Sequence, residues 1–336
     1  MNDFETTKSG YVVVTDTIPN DGSADVSDAI QKLIDDNPNR TIYFPDGTYI
    51  LGKPILTPAH PERSVSLKLS DFTVLRAMEG WSHGEAMVRL GGKDAANNIY
   101  VPGSNYGIEG GIIDASGVAR AISIDGGRET YIRNLSIKRT SLGIHVKYGA
   151  NSGSSDADIH SVNITGNGAT DSIGVLIEGY DNTFTNMRIA KVMIGVKIAS
   201  AGNILRNIHP LLIRNTPAYE DFDNTVGFLD VDGTNNWYDY CYSDQFAVGF
   251  RTKRGGIFHN CFCFWYSKDE KKHVAMQSVE PFAGRVTNLT VGGAHHPDAE
   301  NLLMTESSLS DRYVMQNISL NGVILRDDEV TSNIFS

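Results

Sequence analysis

A chain of 336 residues with 40% hydrophobic and 21% charged residues is too apolar and too evenly charged to stay disordered, and no apolar run approaches the roughly 20 residues of a membrane-spanning helix. Its formal charge of -11 disfavours nucleic acid as the main partner, because phosphate neutralisation needs a basic surface. Met1–Lys8 lacks the apolar core of a signal peptide, so the expectation is cytoplasmic residence, or secretion if a leader has been removed.

The first element is a helix over residues 26–36. Val26, Ala29, Ile30, Leu33 and Ile34 repeat at the spacing of one helical face, acidic residues fill the first turn, and Asn37-Pro38 stops it. Thr41–Leu51 reads as strand, Pro-Asp-Gly turn, strand.

Beyond residue 120 the chain repeats itself. One column is Gly-apolar-x-apolar, starting at Gly143, Gly174 and Gly195, with looser copies at Gly227 and Gly249. A second is apolar-x-Asn-apolar-x-apolar, around Asn134, Asn186, Asn207, Asn260, Asn288 and Asn317, with Ser161 and Tyr240 standing in for Asn. Each short strand alternates its side chains, and stacked coils place like residues over like about 4.8 Å apart. The inward column Leu135, Val162, Met187, Ile208, Cys241, Cys261, Leu289, Ile318 is apolar throughout. The asparagines mark corners, since Asn tolerates the left-handed conformation, and stacked corners predict an asparagine ladder. The expected fold is an all-β, single-stranded parallel β-helix of three sheets, capped by the N-terminal helix. Length alone would suggest two domains, but the repeat makes residues 1–336 one: cap region 1–60, coils 61–326, tail 327–336. Cys241, Cys261 and Cys263 match neither a zinc site nor a disulfide framework and read as core.

Asp21-Gly22-Ser23-Ala24-Asp25 followed by Ala29-Ile30-Gln31, then Tyr43-Phe44-Pro45-Asp46-Gly47-Thr48-Tyr49, resembles the opening of the pectate-lyase-like superfamily of right-handed parallel β-helix proteins. The resemblance covers residues 12–326 and implies a right-handed solenoid shared by polysaccharide lyases, polygalacturonase-type glycoside hydrolases, epimerases, fructotransferases and phage tailspikes. The paired-Asp, Gly-His-Gly and Arg-x-Lys motifs of polygalacturonases and the Asp-Pro-His motif of alginate epimerases are missing, so no catalytic residue carries over.

Long connections at 164–173, 212–226 and 265–282 point to a groove over the outward face of the Gly-column strand. Its outward positions are Ser123, His145, Leu176, Lys197, Leu229 and Arg251, then Asp125, Lys147, Glu178, Ala199, Val231 and Lys253. His145, Lys147, Lys197, Arg251 and Lys253 form a basic stripe suited to an anionic sugar, or simply a solvated face. Trp237, Tyr240 and Trp265 are candidate stacking residues. Glycoside hydrolysis needs two carboxyl groups about 5–5.5 Å or 6.5–9.5 Å apart. Asp125 and Glu178, two coils or about 9.6 Å apart, form one candidate pair, with Lys147 between them. Asp230 and Asp232, with the loop acids Glu220, Asp221 and Asp223, form another. Asp230 occupies an inward position, which reads either as a general acid or as an Asp turned out by a bulge before Asp232-Gly233. Asp171 and Asp244 are lesser candidates. A lyase would use Arg251, Lys253 or Arg254 as base, with calcium held by the acids of 220–232; otherwise no metal or cofactor is expected. His273, His295 and His296 read as surface histidines. The expected function is a glycosidase on an oligo- or polysaccharide. A polysaccharide lyase or fructotransferase is the alternative, and a non-enzymatic, tailspike-like trimer that binds sugar is another.

Overall fold

Short strands connected by corners, each paired in parallel with the strand one coil later, make up nearly all regular structure in the computed structural model. It describes residues 10–14, 17–58, 63–93, 106–148, 154–232, 235–305, 310 and 312–335; the N-terminal segment Met1–Lys8 and Gly233 lie outside these. The fold is the right-handed parallel β-helix that the repeat predicts. Contacts divide the chain into two compact units, Met1–Asn167 with Glu178–Asn182, and Gly168–Ile177 with Thr183–Ser336.

In the first unit, the sheet that carries the glycine column stacks Ile55–Leu56, Ala86–Leu90, Arg120–Ile124 and Leu142–Val146. A second ladder bends around the corner residue. Gly107–Glu109 and Ile112–Asp114, separated by Gly110-Gly111, both pair with the single long strand Tyr131–Thr140. Two of the three expected sheets are therefore continuous through the left-handed residue. Coils begin before the helix, since Val12–Val13 pairs with Ile42-Tyr43.

The helix runs Ser27–Asp36 and buries Ile30, Leu33 and Ile34. Val26 offers no cap, and the Asp25 carboxylate serves instead, accepting from the Ser27 backbone and hydroxyl. Gln31 fixes the helix to the first strand of the glycine sheet by bonding both Leu56 main-chain groups, at 3.0 and 2.8 Å. The residues that carry the family resemblance thus hold the first coil together.

In the second unit the glycine sheet stacks Ile173–Ile177, Ile194–Ile198, Val226–Asp230, Val248–Thr252, Lys272–Ser278, Glu300–Thr305 and Ile334–Phe335. Lys272–Ser278 falls inside a tract expected to be loop; Ala275 occupies the glycine position there and hides the repeat. The tail also differs from expectation, with helix Asp327–Ser332 ahead of the last strand. Glycine is required at Gly195, where a Cβ would stand 2.4 Å from both the Gly227 carbonyl oxygen and the Pro210 ring.

All eight inward residues of the corner column are buried, each stabilising by about 1.5–3 kcal/mol if it behaves as a fully buried aliphatic side chain. Burial raises the three thiols, that of Cys261 to about 12 and those of Cys241 and Cys263 well above their ordinary value, so they act as packing groups. His273 corrects its reading as a surface histidine: it is fully buried, bonds the Phe246 carbonyl at 2.6 Å, and desolvation lowers its pKa to about 4.

Candidate functional site

On the glycine sheet of the first unit the outward register runs Arg89, Ser123, His145 across three adjacent strands. The next outward positions, Asp125, Lys147 and Glu178, follow one coil apart, because each backbone N–H bonds the carbonyl of the preceding coil at Leu90, Ile124 and Val146. Alternation therefore presents six side chains on one face without an irregular loop.

Asp125 lies at the centre with its side chain only 2% exposed. It accepts from Arg89 at 2.8 and 2.5 Å, from the Ser123 hydroxyl, and from Lys147 at 3.1 Å. Burial would push this carboxyl up, but the hydrogen bonds from Ser123 and Arg89 and the charges of Lys147 and Arg89 outweigh it and hold it below the ordinary value. Lys147 also reaches Glu85 at 2.6 Å, and that bond lowers the Glu85 carboxyl. Glu178 is held separately: its Oε2 lies 2.8 Å from His145 Nε2. Lys147 was expected between Asp125 and Glu178, yet it turns to Asp125 and Glu85 and leaves Glu178 to His145.

The accessible acids are Glu85 and Glu178, with side chains 48% and 38% exposed. Asp125 is too enclosed to meet a substrate and acts as the anchor that aims Arg89 and Lys147. Three carboxylates stand against two permanent cations, so the cluster carries one more acid than fixed base. The expected basic stripe is thus neutralised on this unit, since His145 and Lys147 both face acids.

In the second unit the register aligns Leu176, Lys197, Leu229, Arg251 and Gln277. Arg251 bonds Gln277, Lys253 lies 3.4 Å from Asp232, and Lys197 has no acidic partner among the described residues. Asp230 points inward as the repeat dictates, so the bulge reading is corrected. Its carboxylate accepts from Asn236 at 2.9 Å and Tyr238 at 3.0 Å inside the coil, away from any groove. Asp232 is exposed, and so is Asp223, on the turn Phe222–Asn224 after the short helix Pro217–Glu220. The acids from Glu220 to Asp232 therefore do not converge, and among the described residues no group of three or more His, Cys, Asp or Glu could hold a metal ion. Asp244 bonds His209 at 3.3 Å, and Asp171 is exposed.

Trp265 is a correction of a different kind. Its ring is fully buried beside Phe222 and stacked on His273, so it offers no face to a sugar. Trp237 and Tyr240 are exposed, at 49% and 56%, but on the bent sheet rather than over the glycine strands. Tyr240 overlooks a shallow depression with Arg206 and Asn207.

Arg89 and Glu85 escaped the sequence reading because Met87 fills the glycine position of their strand. The Leu90 spacing and the alternation Met87-Val88-Arg89-Leu90 were the available signal.

No protein-family model and no curated protein matches the chain. Solved structures do match, at low identity. ORF18 of Geobacillus virus E2 shares 15% identity at a TM-score of 0.56 over 84% of this chain, which spans 57% of that protein's length. An alginate lyase from Paenibacillus sp. str. FPU-7 shares 13% at 0.53, covering 86% of this chain and 97% of the other. The Streptococcus pneumoniae surface protein and adhesin PfbA shares 12% at 0.59, covering 97% and 99%. At such identities the likeness is one of fold.

Proposed function

We propose that the chain is a carbohydrate-active enzyme, a glycoside hydrolase that cleaves an oligo- or polysaccharide on the outward face of the glycine sheet in the first unit. The observation that carries this reading is the pairing of Glu178 with His145 beside a buried, cation-clamped Asp125. In this reading Glu178, held 2.8 Å from His145 Nε2, is the group that protonates the leaving oxygen. Glu85, kept ionised by its bond from Lys147, is the second accessible carboxylate of the cluster and the group assigned to activate water. Asp125 is a positioning residue. A uronate lyase needs a cation free to neutralise the substrate carboxylate, whereas Arg89 and Lys147 are each already engaged by acids. The shared fold with an alginate lyase supports a glycan as the substrate class and leaves the reaction to the site chemistry.

The test is a screen of neutral and uronic oligosaccharides that reads both new reducing ends and the ultraviolet absorbance of unsaturated products. Reducing ends without unsaturation are expected. Glu178→Gln should then lower kcat by roughly 100-fold or more, the usual contribution of general acid catalysis. Turnover within a few-fold of wild type would sink the assignment, and unsaturated product would replace hydrolysis with elimination.

A further inference from the structure

Arg89 and Lys147 of the first-unit cluster are engaged by acids, whereas two arginines of a cleft in the second unit are not. Three arginines, Arg254, Arg285 and Arg312, line one cleft of about 450 Å³ together with Gly255, Gly256 and Gly284. All three guanidinium groups belong to exposed residues. Arg254 meets Glu280 at 3.0 Å, while Arg285 and Arg312 have no acidic partner among the described residues. The cleft is therefore cationic on a chain whose formal charge is -11.

The backbone explains how the cleft stays open. Gly255-Gly256 links the strand Val248–Thr252 to Ile257–His259, and Gly284 makes the same corner one coil later. A Cβ on Gly255 would stand 2.6 Å from Gly284 N, and one on Gly284 would stand 2.9 Å from Gly256 N. These glycines let the main chain of one coil approach that of the next at the floor of the cleft. The planar guanidinium fork fits the oxygens of a carboxylate or sulfate two at a time.

One further residue fixes the kind of molecule. The outward register of the adjoining sheet runs Trp237, Ile257, Arg285, Val314. Trp237 is 49% exposed and lies two rungs from Arg285, about 9.6 Å by strand spacing. An exposed indole offers an apolar face to a sugar ring, and the arginines beyond it meet a charge carried further along the same chain. We propose that this cleft binds an oxyanion, the carboxylate or sulfate of an acidic glycan, with Trp237 stacking on a neighbouring sugar. The site stands apart from the hydrolytic reading above, because binding is measured without turnover.

Calorimetric titration of the full chain with inorganic sulfate, a galacturonate hexasaccharide and neutral maltohexaose tests it. The galacturonate hexamer should bind, more weakly as salt rises, and maltohexaose should bind at least tenfold less well. Arg285→Gln and Arg312→Gln should each weaken galacturonate binding about tenfold without shifting Tm, since both side chains are exposed. Trp237→Ala should weaken the hexamer and leave sulfate unchanged. If sulfate binds as tightly as the hexamer and Trp237→Ala has no effect, the glycan assignment is overturned in favour of a free anion. Absence of binding by every anion at low salt, or binding that survives both arginine changes, overturns the site itself.

Discussion

Asp125 is a carboxylate where burial alone would neutralise it, and Ser123, Arg89 and Lys147 reverse that outcome. Removing one partner from a buried ion pair strands the others, at a cost of roughly 3–5 kcal/mol. Asp125→Asn is therefore expected to destabilise the protein by about that much in urea unfolding, while a change below 1 kcal/mol would show that the clamp is not formed. With its folded pKa below the ordinary 3.8, Asp125 contributes stability that is present above that value and lost as pH falls through the lower, folded one. His273 acts in a separate window. It is neutral and buried with a folded pKa of about 4 against 6.5 when exposed, so protonation favours the unfolded chain. Stability should fall by about 3 kcal/mol between pH 6.5 and 4 from this residue alone. His273→Asn, whose amide replaces the donor to Phe246, should flatten that part of the pH profile; an unchanged slope would place the loss elsewhere.

The corner element was the most legible part of the sequence. Asn134, Ser161, Asn186, Asn207, Tyr240, Asn260, Asn288 and Asn317 all take φ between 52° and 58°, the two stand-ins included. The predicted ladder forms wherever asparagines are neighbours. Asn207 donates to Asn186 at 2.8 Å, Asn288 to Asn260 at 2.8 Å and Asn317 to Asn288 at 2.7 Å. It is interrupted at Ser161 and again at Tyr240, which holds a bulky side chain in a conformation that favours Asn. Tyr240→Asn should bridge Asn207 and Asn260 and raise stability by about 1 kcal/mol, one hydrogen bond plus relieved strain. Asn207→Ala should lower it by about 2 kcal/mol and Asn207→Gly by less, because glycine restores the backbone but not the ladder. Equal stability of the alanine and glycine variants would show that backbone strain contributes nothing there. What the pattern concealed were coils whose glycine is replaced. Met87 and Ala275 disguise two strands of the repeat, and with the first went Arg89 and Glu85, two of the five charged side chains of the cluster. Trp265 was misplaced for the same reason, since its tract belongs to a folded coil.

At the level of the whole molecule, register accounts for six of the 25 asparagines, at stacked corners, and for Gly174, Gly195, Gly227 and Gly249, where a Cβ would meet the next coil's main chain. Alternation also told which residues face outward. It did not tell how charges on that face pair, because Lys147 had a choice of three carboxylates and its preference for Asp125 and Glu85 depends on side-chain reach across coils. The expected basic stripe is interrupted for that reason at His145 and Lys147, which face acids, and Arg285 and Arg312 stand at a different corner. In the proposed function, sugar is processed over Glu85, His145 and Glu178. A crystal structure of the Glu178→Gln variant soaked with an oligosaccharide that the wild type cleaves tests this most directly. A scissile oxygen is expected within hydrogen-bond distance of residue 178 on the outward face of the strands Ala86–Leu90, Arg120–Ile124 and Leu142–Val146. A cleavable oligosaccharide seated elsewhere, with that face empty, would contradict it.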